Sequence, residues 1–530
     1  MIAKTYSIIP FGIDAMPIEI EGSISQGLPC FNVVGMGSRT VSEARERVKS
    51  AIRSSGFAFP DQKLTINLAP ADLEKSGTFL DLPIAINILI LSNQINQEDI
   101  KNIAFVGELS LDGHLREVRG IINIIEKAKE LGIETLFLPV KNFTQGQIIS
   151  GINLIPADSL SEIYLHLKGE QLINTDNIPI GQTTTNHHQP FPTLDQVQGQ
   201  NLAKRAMEIA VAGHHNLLLS GPPGTGKTML ARAGLGLLPP LSVNEQIIVT
   251  KLHSITGLVD QVVTERPFRT PHHTSSLASL IGGGSNVAPG EISLAHLGVL
   301  FLDELPEYPK SHLEALRQPL EDRTISISRA KLKVTYPANF MLIATMNPCP
   351  CGYYGDPTHP CTCTEQQIYN YQKKLSGPLL DRIDLFVEVN RPKPSELLSA
   401  PKPSNSTPKS SNSTPKPSTP IPKSTTTSID FIKQAIANAL DSQHQRFKDQ
   451  FTFNSSAPSS KITELFNLSK PAKTLLDSST NILDLSARSY FKIIKVARTI
   501  ADLENSTDIK KEHLAEALTF RQKSPHKFTP

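Results

Sequence analysis

Apolar positions in the first part of the chain change period several times. Residues 31–34, 64–68, 103–106 and 135–139 are short apolar runs, the pattern of buried strands. Between them, Val41, Ala44, Val48 and Ile52 recur at helical spacing over 41–54, and 121–131 predicts a helix closed by Gly132. The run 82–91 is almost wholly apolar, too short to span a bilayer and preceded by Asp81, so it predicts a buried helix. This mixture predicts a self-contained α/β or α+β domain over residues 1–167.

Residues 168–192 are polar, with Thr183, Thr184, Thr185, Pro190 and Pro192, and predict a linker. Periodicity resumes at 193, and buried-strand runs at 216–220, 298–302 and 340–345 predict a second α/β domain reaching residue 390. Within it, 324–329 and 332–336 alternate like a β-hairpin around Ala330 and Lys331. Residues 391–427 are mostly Pro, Ser, Thr, Lys and Asn, and Ser-Asn-Ser-Thr-Pro-Lys occurs at 404–409 and again at 411–416. Such a segment buries too little apolar area to offset its ordering entropy, which predicts a disordered tether. Its five lysines and Arg391 against Glu396 leave a weak, sequence-blind phosphate contact as the alternative to a solvated spacer. From 428 to 523 the pattern is helical: Tyr490, Ile493, Ile494, Ala497 and Ile500 share a face, and a last helix starts at His513.

Composition narrows the picture. The 530 residues carry 52 Lys and Arg against 50 Asp and Glu, so any nucleic-acid surface must be local rather than global. The N-terminus has no signal-peptide apolar region and no run is long enough to span a membrane, so a cytoplasmic location is expected. Five cysteines are too few for a disulfide scaffold, and four of them lie between Cys349 and Cys363, which points to metal.

The sharpest chemistry is Gly221-Pro222-Pro223-Gly224-Thr225-Gly226-Lys227-Thr228, between a strand-like run and a helix-like one. Glycines let backbone N–H groups wrap phosphates at a helix N-terminus, Lys227 supplies a point charge, and Thr228 is placed for Mg²⁺. The run 298–302 ends in Asp303 and Glu304, an acid pair delivered at the end of a buried strand. Asp303 is expected to hold Mg²⁺ and Glu304 to polarise the attacking water; a helix N-terminal acid pair is the alternative. Asn347 follows the run 340–345 and can reach phosphate or water, or simply end the strand before Pro348. Gly35-Met36-Gly37 is only a fragment of a dinucleotide fingerprint, because the third glycine is missing.

Taken with Arg266-Pro267-Phe268-Arg269-Thr270-Pro271-His272-His273, Pro289-Gly290-Glu291-Ile292-Ser293, Met346-Asn347-Pro348-Cys349-Pro350-Cys351-Gly352 and Leu379-Leu380-Asp381-Arg382-Ile383-Asp384, these residues resemble the AAA+ superfamily. The branch is the one that contains magnesium chelatase and the MCM helicases. More narrowly, the chain looks like the YifB/ComM family of magnesium-chelatase-like ATPases. The resemblance implies an AAA+ α/β core, a C-terminal helical lid, ATP and Mg²⁺ as cofactors, and a homo-oligomeric ring, most often a hexamer. It assigns Asn347 to sensor 1, Arg488 to sensor 2, and Arg382 to an arginine finger acting on the neighbouring subunit; an ion pair of Arg382 with Asp381 or Asp384 is the alternative. Residues 1–167 resemble a Lon-protease-like domain through Asn67-Leu68-Ala69-Pro70-Ala71-Asp72 and 107–113. The Ser and Lys positions of that catalytic dyad fall at Phe79 and near Ile122, which implies a non-proteolytic module.

Cys349-x-Cys351 and Cys361-x-Cys363 form two thiol pairs separated by turn residues, suited to tetrahedral Zn²⁺, with free thiols as the alternative and His359 as a substitute ligand. In the related helicases a hairpin before sensor 1 lines the pore, which makes Arg329, Lys331 and Lys333 candidates for DNA contacts; an exposed basic turn is the alternative. The Gly282-Gly283-Gly284 run, with His272 and His273 in the same insert, suits a mobile pore loop. The expectation is a ring-forming ATPase moving on single-stranded or branched DNA, by resemblance a branch-migration helicase in natural transformation or recombination. A chelatase-type remodeller of protein or cofactor partners is the second reading.

Overall fold

A computed structural model describes residues 2–35, 38–70, 79–175, 192–259, 261–284, 287–329, 332–391, 428–449, 452–483 and 485–521. The N-terminal domain is built on a seven-stranded sheet in the order Cys30–Val34, Lys63–Ala69, Asp14–Ser25, Ile2–Phe11, Ile103–Phe105, Thr135–Pro139, Asn153–Ala157. Its centre is a long antiparallel hairpin in register from Ile2 opposite Ser23 to Phe11 opposite Asp14, while the outer strands run parallel to their neighbours. Helix Asp81–Leu91 is buried along its whole length, as its unbroken apolar run requires. Its one interior amide, Asn87, turns its Nδ2 donor toward Ala3 O, Thr5 Oγ1 and Ile20 O, tying the helix to the first two strands of the sheet beneath it.

The second domain carries a five-stranded sheet in the order Phe268–Arg269, Val299–Leu302, Met341–Met346, Leu217–Ser220, Leu385–Glu388, every pair parallel. Parallel strands are covered on both faces, which is why they read as continuous apolar runs rather than as alternation. Residues 324–337 form the antiparallel hairpin of strands Thr324–Arg329 and Leu332–Pro337.

Helices Ser428–Phe447, Lys470–Leu483, Ala487–Leu503 and Lys511–Thr519 make the C-terminal region. One hydrophobic cluster runs without interruption from helix Asn201–Gly213 (Ala206, Met207, Ala210) into this region (Ile436, Ile493, Ala497, Ile500). Beside it, Asp502 is 2 % exposed and accepts from Arg446, Arg498 and Asn454. The N-terminal domain packs against helix Val243–Thr256, where Gly120 N donates to Ser254 Oγ at 3.0 Å and Lys251 pairs with Glu126. The tip of its first hairpin reaches the Thr324–Pro337 hairpin: a Cβ on Gly12 would stand 2.4 Å from Val334 Cγ1. Among the described residues no helix is long and apolar enough to cross a membrane.

Candidate nucleotide site

The Gly-rich loop leaves strand Leu217–Ser220, which lies between Met341–Met346 and Leu385–Glu388 in the parallel sheet, and enters helix Lys227–Leu235. Gly221 passes so close to the adjoining strand that a Cβ would meet Val389 O at 2.1 Å. Gly224 and Gly226 have φ of +76° and +84°, and a Cβ on either would point into open space over the loop. The structure therefore leaves a hollow of backbone N–H groups at a helix N-terminus, the donor set that phosphate takes. Lys227 Nζ, held in the same hollow, donates to Gly221 O (2.7 Å), Pro222 O (2.8 Å) and Asn347 Oδ1 (3.2 Å). Burial pushes its ammonium below the ordinary lysine value, and the carboxylates Asp303 and Glu304 oppose that shift. A partly buried cation resting on neutral carbonyls is poised for an anion.

Strand Val299–Leu302 delivers Asp303 and Glu304 to the rim of this hollow. Asp303 Oδ2 accepts from Thr228 Oγ1 at 3.3 Å, and Asp303 Oδ1 accepts from Thr345 Oγ1. The same Thr345 hydroxyl accepts from Glu304 N at 3.1 Å, and Glu304 is held at φ +52°. A left-handed, non-glycine residue that carries a carboxylate is a local strain fixed by its neighbours. The helix-cap alternative for the acid pair has little to rest on, since only a short 3₁₀ turn, Leu305–Glu307, follows.

These groups enclose a cavity of 420 Å³ walled by residues 223–229, Asp303, Glu304, Thr345 and Asn347. A second cavity of 240 Å³ shares Thr228, Asp303 and Glu304 with the first and is completed by Arg232, Thr270, Pro271, His272, His273, Phe301 and Tyr308. His272 and His273 thus lie against the acid pair, with ring centroids 4.1 Å apart. The Gly282 segment, expected to be mobile, is instead paired: Gly282–Gly283 forms a ladder with Ala288–Pro289, and a Cβ on Gly282 would meet Ala288 O at 2.6 Å. Thr345 and Arg232 were not singled out by the sequence; a hydroxyl closing an otherwise apolar strand is the signal that could have pointed to Thr345.

Arg382 and Arg488 line neither cavity. Arg382 does not pair with Asp381 or Asp384: its Nη2 goes to Glu321, while Asp384 accepts from Asn216 N at 3.0 Å. Arg488 Nη2 reaches Glu321 Oε1 at 3.2 Å. On the hairpin, Lys333 is exposed, whereas Lys331 and the Arg329 side chain fall outside the described residues.

The four thiols of Cys349, Cys351, Cys361 and Cys363 come together with all sulfurs within 4.8 Å of one another. Cys349 Sγ lies 3.3 Å from Cys351 Sγ and 3.7 Å from Cys361 Sγ. Tetrahedral zinc with Zn–S bonds of about 2.3 Å sets sulfurs roughly 3.8 Å apart, so the donor set fits that ion. Gly352, inside this loop, leans on the phosphate loop: a Cβ there would stand 2.8 Å from Pro223 Cδ. In the N-terminal domain Phe79 and the wholly buried Ile122 pack into one apolar cluster, where a Ser–Lys pair would need polar surroundings.

A five-stranded parallel sheet with a Gly-rich phosphate loop, a strand-end acid pair and a helical C-terminal region defines an AAA+ P-loop protein. Family comparison agrees along the chain. Residues 193–397 match the magnesium chelatase subunit ChlI model, 20–142 the subunit ChlI of Mg-chelatase model, and 426–521 the ChlI C-terminal model. The uncharacterized protein YifB of Escherichia coli is 41% identical over 512 residues, covering 96% of this chain and 95% of that protein. Competence protein ComM of Haemophilus influenzae is 40% identical over 527 residues (98% and 97%), and the uncharacterized protein Rv2897c of Mycobacterium tuberculosis is 36% identical over 530 (98% and 99%). The chain belongs to the YifB/ComM family of magnesium-chelatase-like AAA+ proteins. That class implies ATP and Mg²⁺, and the hollow at residues 221–228 fits both.

Proposed function

We propose that this protein is an ATP-hydrolysing subunit of a cytoplasmic homo-oligomeric ring, most often a hexamer, that moves on single-stranded or branched DNA as a branch-migration helicase. The observation that carries the reading is the split site. One subunit supplies Lys227, Thr228, Asp303, Glu304 and Asn347 around a single cavity, while Arg382 and Arg488 stand together on Glu321 outside it, an arrangement that suits contact with another subunit's nucleotide.

In this reading Lys227 exchanges the carbonyls of Gly221 and Pro222 for nucleotide phosphate oxygens, with Asn347 steadying the ammonium. Glu304, fixed by its bond to Thr345, orients and polarises the attacking water. Thr228 and Asp303 would hold Mg²⁺, which neutralises phosphate charge when bound. Arg382 and Arg488 stabilise the charge that develops on the neighbouring subunit's phosphate. Lys333 on its hairpin supplies a phosphate contact to DNA, with Arg329 and Lys331 beside it in sequence. The cysteine cluster holds Zn²⁺ and keeps the loop that leans on Pro223 folded. The name of the ComM relative, a competence protein, supports a role in natural transformation. The match to magnesium chelatase segments along all three regions favours the second reading, a remodeller of protein or cofactor partners.

Strand displacement on forked and three-strand DNA separates the two, with Glu304→Gln as the hydrolysis-deficient control. ATP-dependent displacement by wild type alone supports the motor; its absence on every DNA refutes it.

A further inference from the structure

Glu321 joins two arginines that are far apart in sequence. Arg382 spends its guanidinium within its own subunit, donating from Nε to Arg317 O (3.0 Å), from Nη1 to Pro378 O (2.6 Å) and from Nη2 to Glu321. Arg488, on helix Ala487–Leu503, takes the other oxygen of the same carboxylate at 3.2 Å. Two cations share one anion, so the cluster keeps a net positive charge. Arg382 is only 14% exposed, whereas Glu321 is 50% exposed and Arg488 43%. Pairs this wet add little stability; their worth is positional.

The position is informative. Glu321 sits in the last turn of helix Arg317–Asp322, two residues before Arg323, whose φ of +56° turns the chain into the Thr324–Pro337 hairpin. The base of that hairpin is clamped: Ala338 N donates to Arg323 O at 2.7 Å, and Arg323 Nη1 donates to Phe340 O at 2.9 Å. Phe340 leads directly into strand Met341–Met346, which carries Thr345 and ends beside Asn347. Residues 321–323 are therefore where the hairpin, the arginine pair and the strand behind the nucleotide cavity meet.

Building on the ring reading above, we propose that Glu321 is a positioning residue that presents Arg382 and Arg488 as a pair to the neighbouring subunit's nucleotide and makes that presentation depend on what the hairpin contacts. A load that tilts helix Arg317–Asp322 moves one carboxylate and, with it, two guanidiniums. A displacement of about 1 Å in a charge-stabilising group is enough to change a rate by up to ~100-fold.

Mixed rings test this. Lys227→Ala subunits keep both arginines but lack their own phosphate lysine; Arg382→Ala subunits keep the lysine. The equal mixture regains ATP hydrolysis that neither variant has alone. Adding Glu321→Gln to the Lys227→Ala subunit lowers the regained rate by about fivefold or more and flattens its response to single-stranded DNA, while Glu321→Asp in the same place restores part of both. Ring assembly is followed by mass photometry. No regained rate in the first mixture refutes the ring reading, and the inference with it. A regained rate that Glu321→Gln leaves equal or raises, or lowers only in proportion to lost assembly, overturns the role of Glu321 and leaves the ring reading standing. A fall with an unchanged DNA response overturns the coupling to the hairpin.

Discussion

Replacing Thr345 by Val isolates the smallest part of the nucleotide site with the largest expected effect. The side chain is 1% exposed, and Val has the same shape, so packing is retained and only the hydroxyl is lost. That hydroxyl donates to Asp303 and accepts from Glu304 N at 3.1 Å. A hydrogen bond to a charged partner contributes about 1.5–3 kcal/mol and a neutral one about 1, with the Asp303 carboxylate exposed and its bond so at the low end. A net loss of about 2 kcal/mol on the transition state corresponds to a kcat lowered ~30-fold, since each 1.36 kcal/mol is tenfold. KM for ATP stays near wild type, because the groups in the phosphate loop are untouched. The assay is steady-state ATP hydrolysis at saturating Mg²⁺·ATP, with Thr345→Ser as the variant that keeps the hydroxyl. A kcat for Thr345→Val within twofold of wild type, or an equal loss for Thr345→Ser, would refute the role of this hydroxyl in fixing the acid pair.

Other outcomes follow from the same structure. Metal analysis of the purified chain finds about one zinc per subunit; Cys361→Ser removes it and slows ATP hydrolysis, because the loop leaning on Pro223 loosens. Wild-type hydrolysis in a zinc-free variant would break that link. In the N-terminal domain, burial raises the Asp81 carboxyl to about 6 despite its bond from Arg47 at 2.8 Å. Protonation is thus favoured in the folded state, so the stabilisation is complete below the unfolded value near 3.8 and is lost as pH rises through about 6. Hydrogen exchange in helix Asp81–Leu91 of the intact chain should show a fall of up to ~3 kcal/mol across that window, flattened in Asp81→Asn. Asp502→Ala strands Arg446 and Arg498 inside the lid and destabilises it by about 3–5 kcal/mol, read as lost exchange protection in helix Ala487–Leu503.

Much of the fold was legible because parallel strands bury both faces and so print themselves as apolar runs: 216–220 and 340–345 needed no partner to be recognised. The hairpin at 324–337 was legible by its alternation. The long first hairpin of the chain was not. Thr5 and Ser7 are buried there, Thr5 donating to Pro83 O at 3.1 Å, so polar residues stand at core positions and blur the period. In the candidate site, the loop and the acid pair were visible as local motifs, but the groups that hold them were not. Thr345 meets Asp303 only because two strands lie parallel with Leu302 opposite Ala344. Neighbouring acids in sequence, Asp381 and Asp384, were natural partners for Arg382, yet Asp384 is taken by Asn216 N and lies 3.5 Å from His215 Nδ1, and the distant Glu321 wins. The Gly282 run read as mobile because glycine is permissive; at Gly282 itself, glycine is required by the close approach of Ala288 O, while a Cβ on Gly283 or Gly284 would meet nothing.

The apolar cluster that runs from helix Asn201–Gly213 into the C-terminal helices makes peptide continuity between Arg391 and Ser428 secondary. Ala206 and Met207 on one side and Ile493 and Ala497 on the other share a single interior, and Phe386 N donates to Phe520 O at 2.8 Å across the same boundary. A chain cut between those points would still behave as one folded particle. A fusion partner or label placed between those points is therefore expected to leave that shared interior intact.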